Sequence, residues 1–197
     1  SKRLARMNIS PSATVSGVSG SFSPSVSGSR AAASAKPKHR RLIPLCNLYQ
    51  GIAEFEGERF KESIKTLSKF VSDFPEHEKL DEAAFNLGQA NMKLRNWEGA
   101  VKGFEKVPAN SKLRDWTLYQ AAWSKKNAGK LIESIPYYKE LLGKHPSSPY
   151  VNDASYELAE VEFEIGSEKG GNPQRVADSV KHLTLLLNKK PTPNAQL

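Results

Sequence analysis

The side chains that most often carry catalysis are scattered along this chain. Its four histidines fall in a Ser-rich N-terminal segment, in two polar turns and on one polar helix face, and none has a nucleophile or carboxylate at a recurring spacing. The adjacent acids Asp81 and Glu82 stand where a helix is expected to begin, where negative charge favours the helix dipole. No phosphate-cradling glycine loop and no metal-binding spacing of His and Cys occurs. The sequence therefore predicts a protein that is not an enzyme and needs no cofactor or metal.

Aromatic residues form the pattern with the clearest binding chemistry. Trp116, Tyr119 and Trp123 recur at spacings of three and four, which places them on one face of a helix. Aromatic side chains offer a large contact area with few rotors to freeze, so such a strip suits the anchoring of a peptide. Packing between helices is the competing interpretation for each ring. Counting along the helices adds further positions to the same predicted face: Leu48, Ile52, Phe55, Phe85, Gln89, Met92, Tyr156, Glu160 and Phe163.

These positions belong to a unit that recurs four times. In each copy a bulky residue is followed three positions later by a small one and seven positions later by another bulky one, beginning at Phe60, Trp97, Leu131 and Val176. Each copy then runs to a proline, namely Pro75, Pro108, Pro146 or Pro191. Self-similarity with a period near 34 residues is typical of stacked helix–turn–helix units.

The apolar period predicts paired helices from about Leu45 onward. Tight turns are expected at Gly57-Glu58, Arg95-Asn96 and Ala128-Gly129. Pro136 should kink its helix or delay its start. The predicted organisation is a basic segment over 1–41, a solenoid over 42–191 and a short end over 192–197, with repeats near 45–75, 80–108, 113–146 and 150–191.

The net charge of +8 belongs to the N-terminal segment. Residues 1–41 contain eight basic residues and no acid, and the remainder balances 21 basic against 21 acidic residues. The sequence pI near 9.5 therefore gives no support for a nucleic-acid-binding solenoid. The eight basic positions are Lys2, Arg3, Arg6, Arg30, Lys36, Lys38, Arg40 and Arg41.

Three interpretations of the Ser-, Gly- and Ala-rich N-terminal segment stay open. It is a linker, an organelle transit peptide, or a segment that orders on a partner or on its own domain. No apolar run is long enough to span a membrane, so membrane association is expected only through this segment or one outside the sequence given. The single Cys46 excludes an intramolecular disulfide, and we expect it to be a buried, inert thiol.

The repeats resemble the tetratricopeptide family. The residues that carry the resemblance include Leu87-Gly88, Ala100 and Phe104 in the second copy and Leu158-Ala159, Ser179 and Leu183 in the fourth. Gly51 and Ala122 take the place of Gly88 and Ala159 in the other two copies. The resemblance implies an all-α, right-handed solenoid of about four repeats in which small residues allow close helix approach. It also implies a scaffold for protein partners.

A narrower resemblance concerns two segments of the chain itself. Residues 74–88 align without gaps to residues 145–159, in a form similar to bacterial envelope repeat proteins such as the TolA-binding cell-division coordinator and BamD-type lipoproteins. This implies a periplasmic or membrane-associated assembly, with a cytoplasmic location left open. Chaperone-tail capture is not expected, because only Asn86 matches the carboxylate-binding set of co-chaperone repeats.

Two functions remain in competition. In the first, the chain is a non-catalytic scaffold that holds an extended peptide or helix of a partner in an aromatic concave groove. In the second, the basic segment binds anionic lipid or nucleic acid electrostatically, and the repeats act as a spacer or oligomerisation module. Docking of the basic segment in the groove of its own or a neighbouring chain would combine the two.

Overall fold

The computed structural model describes residues 37–168 and 171–188, with side chains from Leu42 to Thr184 inside those ranges. This part of the chain forms eight α-helices and no strand, which confirms the predicted all-α solenoid. The helices are α1 Pro37–Glu56, α2 Phe60–Asp73, α3 Leu80–Lys93, α4 Trp97–Glu105, α5 Arg114–Asn127, α6 Leu131–Lys144, α7 Val151–Ser167 and α8 Pro173–Asn188.

The helices form four consecutive pairs. Each pair consists of an A helix (α1, α3, α5 or α7) and the B helix that follows it (α2, α4, α6 or α8). Every helix packs chiefly against the helix before it and the helix after it. A protein in which each repeat contacts only its neighbours is a solenoid. Its free energy of unfolding is approximately the sum of contributions from the single repeats and from the interfaces between adjacent repeats.

Small residues set the spacing within each pair. In the second repeat a Cβ added to Gly88 would lie 2.3 Å from the ring of Phe104, and one added to Gly103 would lie 2.7 Å from the backbone nitrogen of Gly88. In the first repeat the Ser63 hydroxyl donates to the carbonyl of Gly51 at 2.8 Å. The predicted packing role of the small residues is confirmed, since all four are buried: Ser63, Ala100, Ser134 and Ser179.

The predicted turns between A and B helices are confirmed in the first three repeats. In each turn one residue adopts a positive φ: Glu58 at 58°, Arg95 at 56° and Gly129 at 74°. All three lie seven residues after the small A-helix residue of their repeat (Gly51, Gly88 or Ala122). The left-handed conformation is free of steric cost only for glycine, so the reversal is least strained in the third repeat.

The expected start of the first helix was wrong, and of the two effects expected of Pro136 a delayed helix start does not occur. Helix α1 begins at Pro37, eight residues before Leu45. Proline is well tolerated at the first position of a helix, where its missing N–H has no partner to lose. Helix α6 begins at Leu131, so Pro136 does not delay it. The ring of Pro136 is exposed, which keeps its bulk out of the packed interface.

The largest core cluster joins the third and fourth repeats and contains one unsatisfied polar atom. Tyr138 is fully buried in this cluster among Leu118, Leu141 and Leu158. Its hydroxyl has no hydrogen-bond partner among the residues that the structure describes. Burial, with a smaller contribution from Glu157, raises the pKa of Tyr138 far above its usual value. The hydroxyl therefore stays protonated and contributes a desolvation cost to this core.

Removing that hydroxyl is expected to stabilise the protein. Tyr138→Phe should raise the free energy of unfolding by about 1 kcal/mol, because an unsatisfied buried hydroxyl is lost and the ring is kept. Urea denaturation would measure the change. Tyr137→Phe is the matched control: its hydroxyl donates to Glu105 at 2.5 Å, so its removal should not stabilise. A Tyr138→Phe variant less stable than the parent would show that this hydroxyl has a partner.

Candidate protein-binding groove

The candidate groove follows one face of the A helices, where the predicted aromatic residues meet across repeat boundaries. The ring of Phe85 on α3 lies 4.6 Å from that of Trp116 on α5. Trp116 also lies 5.8 Å from the buried ring of Phe104. Met92 packs against the same cluster. The rings of Phe85 and Trp116 therefore join the second repeat to the third while remaining partly accessible.

Tyr119 makes the corresponding connection between the third and fourth repeats. Its ring stacks on that of Tyr150, with centroids 5.8 Å apart and planes 18° apart. It also meets the ring of the buried Tyr138 at 6.3 Å. Burial raises the pKa of Tyr119 to about 12, and the nearby carboxylates of Glu157 and Asp153 add to the shift. The phenol is therefore neutral at physiological pH.

Trp123 borders an open cleft at the end of the same face. Its ring stands nearly perpendicular to that of Trp97, with centroids 5.6 Å apart. The cleft has a volume of about 620 Å³ and lies between the end of α5, the start of α6 and α7. It is lined by Trp123, Lys126, Asn127, Gly129, Leu131, Glu157, Glu164 and Glu168.

The charge in the cleft is predominantly negative. The ammonium of Lys126 lies 2.7 Å from Glu157 and 2.8 Å from Glu160. Burial disfavours the charge on Lys126, but its hydrogen bonds to these two carboxylates outweigh burial and raise its pKa. The hydrogen bond to Lys126 in turn lowers the pKa of Glu160. The lining contains one basic residue, Lys126, and three acidic residues, Glu157, Glu164 and Glu168. The cleft therefore suits a cationic side chain.

The remaining predicted residues are distributed differently. Leu48 is fully buried in the core of the first repeat, so its assignment to the groove lining was wrong. Phe55 packs on Phe60 of its own repeat, with ring centroids 5.6 Å apart. Tyr156 and Phe163 on α7 are exposed, and no ring contact holds them in the part of the chain that the structure describes. Trp116 and Trp123 contact rings of the second repeat and Tyr119 contacts rings at the fourth, and the part of all three in binding stays a prediction.

Comparison with known proteins supports this architecture. Residues 46–77 and 82–111 match the family model for the tetratricopeptide repeat, and these segments coincide with the first two helix pairs. The fold is a tetratricopeptide-repeat-like solenoid. A kinesin-light-chain-type protein of Podosopora anserina with TPR-like repeats superposes with a TM-score of 0.55 at 13% identity, over 81% of this chain and 82% of that one. MamA of Desulfovibrio magneticus RS-1 gives 0.54 at 13% identity, over 81% and 89%. A search of curated proteins found no match.

Five of the eight basic residues of the N-terminal segment fall outside the described residues. Lys2, Arg3, Arg6, Arg30 and Lys36 lie outside the described residues, and Lys38, Arg40 and Arg41 lie along the first turns of α1. Between Leu42 and Glu168 and between Gly171 and Thr184, no group of three His, Cys, Asp or Glu side chains is arranged to hold a metal ion. None of the described helices has the length and apolarity to cross a membrane.

Sequence reasoning missed the acidic character of α7. This helix carries five carboxylates and no basic residue: Asp153, Glu157, Glu160, Glu162 and Glu164. The signal was present in the composition of residues 151–167. The pairing of Lys126 with Glu157 and Glu160 was not visible, because these residues are more than thirty positions apart and meet only when two A helices align.

Proposed function

We propose that this chain is a non-catalytic scaffold that holds an extended peptide or a helix of a protein partner along the A-helix groove. Tetratricopeptide repeats are typically protein-interaction modules, and two of them are matched here. The observation that carries the proposal is the cleft beside Trp123, where a half-buried indole borders three carboxylates. Tryptophan is among the residue types most enriched at the few positions that carry most of the binding energy of a protein interface.

The chemistry of the cleft indicates what the partner presents. An apolar side chain of the partner would pack on the Trp123 ring, and a neighbouring lysine or arginine would approach Glu157 and Glu164. Lys126 is already neutralised by two carboxylates, so it offers little attraction for an acidic peptide. We therefore expect a partner segment that combines a basic residue with an apolar one.

The test is affinity capture from an extract of the source cell, followed by mass spectrometry. Trp116 and Tyr119 each pack on two neighbouring rings, whereas Trp123 meets one ring, that of Trp97, so the informative variant with the smaller loss of packing is Trp123→Ala. It should weaken capture at least tenfold, the loss expected when a central aromatic anchor is truncated. Ile132→Ala is the control, because Ile132 is a highly exposed apolar residue on the B helix α6. Equal capture by Trp123→Ala and the parent would contradict the groove.

The same capture also tests the electrostatic alternative. Eight basic residues without an acid in residues 1–41 favour a contact with an anionic surface. In that case deletion of residues 1–36 would abolish capture, binding would fall steeply with salt, and Trp123→Ala would have no effect. The resemblance of residues 74–88 and 145–159 to envelope repeat proteins leads us to expect partners from a multiprotein envelope assembly.

A further inference from the structure

The two ends of the described solenoid present apolar pairs of equal spacing. On α1 Leu42 and Tyr49 lie seven residues apart and are 53% and 55% exposed. On α7 Tyr156 and Phe163 also lie seven residues apart and are 50% and 52% exposed. Residues seven apart on a helix share one face, about 10 Å from each other along the axis. Each pair therefore forms a short apolar stripe of the same length.

The contact between α5 and α7 shows what these stripes would meet in a continuous array. Tyr119 stacks on Tyr150, just before α7, and Lys126 bonds to Glu157, so both contacts join residues that are 31 positions apart. Tyr156 and Phe163 occupy on α7 the places that Tyr119 and Lys126 occupy on α5, counted from Ala159 and Ala122. When positions are counted from Gly51 and from Ala159, Leu42 is equivalent to Tyr150. Tyr49 is equivalent to Glu157 in the same way.

Carried over to the two ends, the register of the α5–α7 contact pairs the exposed residues with each other. If α1 of a second copy followed α7 as α7 follows α5, Tyr156 would face Leu42 and Phe163 would face Tyr49. Cys46 supports this reading. The residues that occupy its place in the other A helices are buried, namely Ala83, Thr117 and Ala154, and the first and last of them share a core cluster with the preceding repeat. Cys46 itself is exposed, contrary to our sequence expectation, because the described chain places no repeat before it.

The last B helix, α8, also exposes an apolar residue that is buried in earlier repeats. Val101 on α4 and Ile135 on α6 directly follow the small residue of their repeats, and both are buried. Val180 on α8 holds the same place after Ser179 and is 56% exposed. The apolar position is thus buried in the second and third repeats and exposed in the fourth. An exposed apolar residue at such a position indicates a surface that binds another protein.

The charges of the two ends are opposite. Helix α7 carries five acids and no base; Glu157, Glu160 and Glu162 are paired within the chain, which leaves Asp153 and Glu164 to face a second copy. Lys38, Arg40 and Arg41 lie in the first turns of α1, where the register above brings them level with Asp153, one turn before Tyr156. Opposite charge beside matched apolar stripes favours this orientation over a symmetric contact, in which like charges would meet.

We propose that a second copy of this chain docks head-to-tail, with its α1 stripe (Leu42, Cys46, Tyr49) on the α7 stripe (Tyr156, Phe163) of the first copy. Such a contact is heterologous, so each copy keeps one free end and association continues beyond the dimer. The proposal goes beyond the scaffold function and does not depend on it, because Trp123 takes no part in the contact.

Analytical ultracentrifugation of the full chain and two variants tests the proposal. Tyr49→Asp disables one end and Phe163→Asp disables the other, and both positions are exposed enough to accept the change without unfolding. The parent should grow in mass with concentration beyond a dimer, and each variant alone should stay monomeric. An equimolar mixture of the two variants should form a dimer and nothing larger, since one intact end of each remains. The control Ile132→Asp should behave as the parent.

Three results would overturn the proposal: a parent that is monomeric at all concentrations, variants that associate as the parent does, or a mixture that stays monomeric. Cross-linking checks the register. A chain with Glu160→Cys and Cys46→Ser, mixed with the parent, should be joined to it by a short bis-maleimide, because Glu160 is level with Cys46 of the second copy. Lys102→Cys with Cys46→Ser should give no such product. Equal products from both would contradict the register.

Discussion

Alanine at Gly103 is expected to lower the free energy of unfolding by about 3 kcal/mol, the upper end of the usual cost of overpacking. The added methyl would lie 2.7 Å from the backbone nitrogen of Gly88 and 2.9 Å from its Cα. Backbone atoms cannot rotate away as a side chain can, so helices α3 and α4 would have to separate. That separation would also loosen the packing of Phe104, which lies under the Trp116 ring.

Gly143→Ala is the matched control for this prediction. Gly143 also lies near the end of a B helix, and a Cβ there would meet no atom within 4 Å. The change should therefore stabilise the protein by roughly 0.5 kcal/mol, through the higher helix propensity of alanine. Thermal and urea unfolding of both variants would measure the difference. A Gly103→Ala variant as stable as Gly143→Ala would show that α3 and α4 do not approach each other as closely as the Gly103–Gly88 distances indicate.

The double change Lys139→Met with His182→Leu is expected to destabilise the protein by about 3 kcal/mol, because it leaves a buried carboxylate without a partner. Glu162 on α7 is almost completely buried. Its two oxygens lie 3.4 Å from the Lys139 ammonium on α6 and 2.9 Å from Nδ1 of His182 on α8. This one carboxylate thus links three helices, and it holds the last helix to the rest of the solenoid.

Adding Glu162→Gln to the double variant separates charge from packing. The amide has nearly the same shape and no charge, so the triple variant should recover much of the lost stability. Hydrogen exchange would show the expected loss as faster exchange in α8 than in the first two repeats, since the ends of a solenoid open locally. A double variant with parental stability would mean that Glu162 is satisfied without these two residues.

Much of the fold could be predicted from the sequence because the determinants are local. Helical periodicity and turn residues depend on neighbours within a few positions, so the helix pairs and the turns at Glu58, Arg95 and Gly129 were predicted. The small residues Ser63 and Ala100 could be assigned to packing for a similar reason, as their spacing from bulky residues repeats. The start of α1 was missed because the apolar period that predicts the helix begins at about Leu45, whereas the helix extends back to Pro37 through a basic stretch without that period.

The candidate groove could be predicted only in part. Counting along a helix gives the face on which a residue lies, but which face is covered depends on how neighbouring helices cross. Leu48 and Phe55 share one predicted face, yet Leu48 is fully buried and Phe55 is half-buried. Tyr119 and Tyr156 occupy equivalent places, yet one is stacked on Tyr150 and the other is exposed, because only the first has a described repeat after it.

Nuclear magnetic resonance of the indole N–H groups tests the central claim most directly. The chain contains three tryptophans, so their signals can be assigned by single substitutions. On titration with a captured partner segment, the signals of Trp123 and Trp116 should shift together and saturate with one affinity. The indole of Trp97 should respond through its contact with Trp123. Saturable binding that leaves all three indole signals unmoved would contradict a groove on the A-helix face and place the interaction elsewhere on the chain.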